Sequence, residues 1–187
     1  MRGIIAFGVW IGLMLTGCGE EPKLEKRRVF YPNKQAVLEE YAITRTKSGD
    51  TLLQGVRREY FWDGTTKQSV IWKDGKRHGS AQAWYDGGNV KWQKVFQEGM
   101  KTGTWRLYFK GGKPWVVLNY ADDKLNGAAQ VWNRESGEGP KEATFTNGAC
   151  ASGDCGLLDP AALPEGATPE QTIDFNRQAD LLREFLE

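Results

Sequence analysis

The chain has 187 residues, room for one ordinary domain with appendages. It carries 25 Lys and Arg against 24 Asp and Glu, so it lacks the basic excess of a general nucleic-acid binder. One histidine excludes a His-rich metal site, while 23 glycines with eight Trp, six Tyr and eight Phe point to many turns joining short aromatic strands.

Arg2 followed by the apolar run Ile4 to Leu15 reads as a signal peptide over residues 1–17. The run is shorter than the roughly 20 residues of a membrane-spanning helix. Its end, Leu15-Thr16-Gly17-Cys18, resembles a bacterial lipobox. That resemblance implies that Cys18 is lipidated through its sulfur and becomes the new N-terminus. Several acyl chains together anchor a protein stably to a membrane. Gly19, where an inner-membrane retention signal would place Asp, favours the outer membrane if the host has two. An uncleaved anchor or ordinary secretion is the alternative. Residues 18–28 are polar and charged and read as a lipidated tether.

From residue 29 to 149 the sequence repeats itself. Gly55, Gly79, Gly103 and Gly127 recur every 24 residues, as do Tyr60, Trp84, Tyr108 and Trp132. Gly64, Gly88 and Gly112 keep the same register, and so do the columns Trp72, Phe96, Tyr120 and Asp74, Glu98, Asp122. Each unit reads as two strands and two turns. In the second unit Ala81 to Tyr85 is a strand, residues 86–89 a tight turn, Val90 to Phe96 the return strand, and residues 97–103 a longer turn. The first unit is Tyr60-Phe61-Trp62, Asp63-Gly64 and Ser69 to Trp72, and the third runs from Trp105 to Tyr120. The fourth is degenerate around residues 135–140. A partial earlier unit begins at Val29, returns over Ala36 to Arg45 and turns at residues 47–50. The predicted fold is mainly β: an elongated single antiparallel sheet of consecutive hairpins, closed by a C-terminal amphipathic helix.

The units resemble the MORN repeat in its bacterial variant form. The resemblance rests on Tyr60-Phe61-Trp62-Asp63-Gly64 followed by Gly75-Lys76-Arg77-His78-Gly79. It recurs in Trp84-Tyr85-Asp86-Gly87 with Gly99 to Trp105, and in Leu107 to Gly111 with Asp123 to Gly127. It covers about residues 55–149. Asp123 stands where the family prefers glycine, and the fourth unit loses its second turn. Lys73, Lys76, Arg77, Lys101 and Lys124 in these turns read as solvated; the family's links to membranes imply contact with anionic lipid headgroups as the alternative, which the balanced net charge disfavours.

Two readings of the column Tyr60, Trp84, Tyr108 and Trp132 stand side by side. It is a repeat-to-repeat aromatic ladder that holds the sheet, or a binding surface for a protein, peptide or sugar. The Asp74, Glu98 and Asp122 column reads as turn chemistry rather than a cation site.

Residues 150–187 form the tail. Cys150 and Cys155 read as a structural disulfide in an exported protein. A Pro-containing connector follows, then a helix from Thr168-Pro169 with Phe175, Ala179, Leu182 and Leu186 on one face, widened by Leu181 and Phe185. Its expected role is to cover an apolar sheet face, with partner docking as the alternative.

Nothing in the motifs indicates catalysis, a metal or a cofactor: His78 sits in a Gly-rich turn with no acid or nucleophile in recognisable relation to it. The expected function is a lipid-anchored, non-catalytic scaffold of the bacterial envelope that binds a protein partner. Neutralisation of a toxin, as the resemblance to immunity and antitoxin proteins implies, is the first alternative. A cell-wall carbohydrate-binding module is the second.

Overall fold

The structure is a computed structural model that describes residues 23–33, 35–133, 139–158 and 180–187. The signal peptide, Cys18, the start of the tether, the connector and the expected helix start at Thr168 lie outside the described residues.

The described chain is mainly β, with thirteen strands in one open antiparallel sheet. They are β1 (Glu25–Phe30), β2 (Val37–Arg45), β3 (Thr51–Leu53), β4 (Gly55–Tyr60), β5 (Thr66–Lys73), β6 (Lys76–Trp84) and β7 (Val90–Gln97), then β8 (Met100–Tyr108), β9 (Pro114–Ala121), β10 (Lys124–Leu125), β11 (Gly127–Val131), β12 (Lys141–Thr146) and β13 (Ala149–Gly153). Along the path β1-β2-β4-β5-β6-β7-β8-β9-β11-β12-β13 each strand pairs with the next, without crossovers. Short β3 and β10 flank the main path because Gln54 and Asn126 interrupt strands that continue as β4 and β11. A helix, α1, spans residues 180–186.

Two kinds of turn alternate, and the repeat columns specify both. At one end the turn pairs Asp74-Gly75, Glu98-Gly99, Asp122-Asp123 and Asn147-Gly148 all have positive φ at both residues, as a two-residue type I′ hairpin requires. The acidic column is therefore turn chemistry. Asp123 holds the glycine position at φ 65° because Asp tolerates the left-handed region, and its carboxylate accepts the Lys101 amide at 2.7 Å. At the other end three turns share one bonding pattern, with Tyr85 N donating to Asn89 O and Gly88 N to Tyr85 O, both at 2.9 Å. Phe61 with Gly64, and Phe109 with Gly112, repeat it.

The stretch 97–103, expected as a long turn, is instead a two-residue turn with β8 resuming at Met100. The strand survives because Gly103, at φ 63°, absorbs a register shift against β7 that a residue with a Cβ would resist. Two boundaries also differ. Strand β1 begins at Glu25, inside the expected tether, because residues 25–29 pair with β2, and Arg28 to Glu40 forms an ion pair at 2.6 Å. Strand β13 extends the sheet to Gly153, so Cys150 lies in a strand. Its bond to Cys155 spans a Cα–Cα distance of 5.7 Å.

One sheet face carries the core. Strict alternation puts Trp105 and Leu107 of β8 fully inside while Arg106 is exposed. Trp105 is the hub, with ring centroids of Tyr120 at 4.8 Å, Phe96 at 5.2 Å and Phe185 of α1 at 5.7 Å. Helix α1 thus covers the apolar face through Phe185 and Leu182, with Leu181 and Leu186 beside them. Phe185, expected to widen the helix face, is its centre. Lys94 and Lys101 donate to the carbonyls of Glu184 (3.3 Å) and Leu186, which supplies partners for the open C-terminal carbonyls of the helix.

Candidate functional site

The covered face identifies the uncovered one. Glu59, Ala83, Leu107 and Val131 point to the α1 side, so Tyr60, Trp84, Tyr108 and Trp132, each next in sequence, point to the other. Tyr60, Trp84 and Tyr108 are the last residues of β4, β6 and β8, and Trp132 directly follows β11, its amide donating to Trp115 O at 2.8 Å. All four are half-buried.

They lie on alternate strands, and two inter-strand spacings separate such neighbours by roughly 10 Å. Among the described residues no ring contact joins any two of them; the aromatic contacts run on the covered face, through Trp105 and between Phe109 and Trp115. Between the rings stand Thr66, Val90 and Pro114, the cross-strand partners of Tyr60, Trp84 and Tyr108. The result is an aromatic and aliphatic stripe along the row of turns that carry Gly64, Gly88 and Gly112.

A polar row runs parallel to it. The register aligns Glu40, Arg58, Ser69, Gln82, Gln93 and Arg106 across six consecutive strands of the path. This row ties down the stripe: the Tyr108 hydroxyl donates to Gln93 Oε1 at 3.1 Å, and the Tyr60 hydroxyl to Glu40 Oε2 at 3.0 Å. Hydrogen bonds from Arg28 and then Tyr60 hold the Glu40 carboxyl below its ordinary range. Burial first, then the bond to Glu40, raises the Tyr60 phenol. Beside Tyr60 the face dips into a groove of about 400 Å³, flanked by Glu40 and by Trp62, a residue 64% exposed.

His78 is a turn brace. Its Nδ1 lies 3.5 Å from the Glu98 amide and 3.2 Å from Glu98 Oε1. Gln54 Oε1 accepts the Asp74 amide at 2.7 Å and Asn126 Oδ1 the Asn147 amide at 3.3 Å from matching places. Three different side chains thus perform one task, the acceptance of an amide from the next turn. Among the described residues no group of three or more His, Cys, Asp or Glu converges as a metal site would. No described helix is long and apolar enough to cross a membrane.

Lys94 is the residue the sequence reading passed over. It is 5% exposed, and its ammonium lies 4.8 Å from the ring centroids of both Trp92 and Trp105. Burial, then Arg77 and Lys101, push its pKa down to about 8. The signal was its place in Trp92-x-Lys94-x-Phe96, where period two puts it on the apolar face.

No protein-family model and no curated protein matches the chain.

Proposed function

We propose that this protein is a non-catalytic binding scaffold of the bacterial envelope, held to the membrane by lipid on Cys18, and that it recognises a protein partner through the uncovered face of its MORN-like sheet. The observation that carries this reading is the placement of Tyr60, Trp84, Tyr108 and Trp132. They stand half-exposed on the open face, and none belongs to the core cluster under α1. Tyr and Trp present large contact area at little entropic cost, as the anchors of interfaces do, and the Tyr60 and Tyr108 hydroxyls are tied to Glu40 and Gln93. An immunity role, with a toxin as the partner, uses the same face.

The test is a crosslinking pulldown from native envelopes with wild type, Cys18→Ala and Trp84→Ala/Tyr108→Ala. A partner retained by wild type and lost in the aromatic double variant, with an unchanged circular-dichroism spectrum, supports the reading. Equal recovery by the double variant overturns it. Recovery only after a toxin is supplied selects the immunity role.

One observation favours the carbohydrate reading as a second possibility: the exposed Trp62 ring beside the Tyr60 groove is an accessible stacking platform. Titration with muropeptides that leaves tryptophan fluorescence unchanged removes it.

A further inference from the structure

The covered face holds a second recess. Where β4 to β7 run out from under α1, an open cleft of about 370 Å³ lies between the sheet and the helix end. Its apolar wall includes Val70, Ala81 and Phe96. Its polar lining combines three cations with Gln68 and two acids.

Three cations line it: Arg57, Arg77 and Lys94. Arg57 is engaged, paired with Glu39 and with Glu59 at 3.1 Å. Arg77 lies 4.3 Å over the Phe96 ring, and among the described residues it has no carboxylate within ion-pair distance. The Lys94 ammonium reaches the carbonyl oxygen of Glu184 and the tryptophan faces, and the carboxylates of Glu184 and Glu187 act on it only from beyond ion-pair distance. Two acids reach the lining, Glu184, whose carboxylate is held by Lys91 at 2.8 Å, and Glu187. The indole N–H groups of Trp72 and Trp92, both cleft-lining rings, are buried and donate to nothing.

A buried cation without a counter-charge is destabilising. An anion in the cleft supplies charge and acceptors to Arg77 and Lys94. The aliphatic and aromatic wall adds a demand for an apolar body.

We propose that this cleft binds a small organic carboxylate with an apolar or aromatic body, its carboxylate held by Arg77 and Lys94 and its body packed on Val70, Ala81 and Phe96. The planar guanidinium of Arg77 matches a carboxylate bidentately. The site is independent of the open face, because Trp84 and Tyr108 lie on the other side of the sheet.

The test is a titration of the detergent-solubilised full chain with 4-phenylbutyrate, read through the indole N–H resonances of Trp72 and Trp92. Uncharged 4-phenylbutanamide and inorganic phosphate are the comparison probes. The expected result is a saturable shift with 4-phenylbutyrate that weakens about tenfold or more in Arg77→Gln, in Lys94→Met and with the amide. If Lys94→Met alters the fold, Arg77→Gln decides by itself. No saturable shift, or equal affinity for the amide, overturns the proposal. Equal affinity for inorganic phosphate also overturns it, by showing a general anion site without a place for the apolar body.

Discussion

Substitution of Phe185 by Ala measures how firmly α1 holds the sheet. The Phe185 side chain is fully buried, edge-on to Trp105 and 5.5 Å from the Lys94 ammonium. Truncating a buried Phe to Ala costs about 3–5 kcal/mol from lost transfer energy and the cavity left behind. The edge-to-face contact with Trp105 belongs within that range, contributing about 0.5–1.5 kcal/mol. A ceiling also applies. Once the loss exceeds the docking free energy of α1, the helix leaves the sheet and the measured cost stops growing. Urea unfolding followed by circular dichroism should therefore show a midpoint fall equivalent to about 3 kcal/mol, or a smaller fall accompanied by red-shifted tryptophan emission as Trp105 meets water. A loss below about 1 kcal/mol with unchanged emission refutes the reasoning, because Trp105 would then be shielded without Phe185.

Other substitutions test other links. Lys94, at about 8 when folded against 10.5 as a free side chain, is charged in both states below pH 8, so the cost of burying it is fully present there. Above pH 8 the folded chain gives up a proton that the unfolded chain keeps, and stability rises with pH by at most about 1.4 kcal/mol per unit. Burial lowers Lys101 and acts with the same sign, whereas Tyr120, raised to about 12 by burial, reverses the trend above pH 10. Lys94→Met should stabilise the protein at pH 7 and flatten the rise between pH 8 and 10; identical pH profiles for the two proteins would contradict this. Gly153→Ala should strip β13 from β12, since its Cβ would sit 2.4 Å from Glu142 O and 2.8 Å from Ala143 Cα at a φ of 86°. Fast amide exchange in β13 with β12 still protected on its β11 side is the expected readout, and full protection of β13 would refute it. His78→Asn should keep the turn that His78→Ala loosens by about 1 kcal/mol, because a short acceptor serves at the matching Asn126; a greater loss in the Asn variant argues against the brace.

The 24-residue period made the sheet legible, because every column answers a backbone demand that glycine, acids or aromatics meet in distinct ways. Gly79 and Gly103 mark bulges, while Asp74 and Glu98 open type I′ turns. Strand limits were less legible. A glycine such as Gly103 signals a break in regular backbone, but only cross-strand pairing shows that the strand continues through it. Edge strands were hidden for a related reason: β1 is charged and exposed, so no alternation separates it from a tether. The aromatic stripe was legible as a column, yet its face depended on where α1 lies. Trp115 shows the limit of alternation. It is buried beside Val116 on the same side because the register shifts between Leu107 and Tyr108, an effect of pairing that no single strand encodes. The cleft was not legible at all, because Arg57, Arg77 and Lys94 come together only through three different strands.

The central claim is that the two faces of one sheet have different tasks. A photoreactive phenylalanine derivative placed in turn at the positions of Gln82, Gln93 and Arg106 on the open face, and of Gln68 and Lys141 on the other, tests it in living cells. Adducts to the same partner are expected from the three open-face positions and none from Gln68 or Lys141. Adducts confined to the α1 side would contradict it.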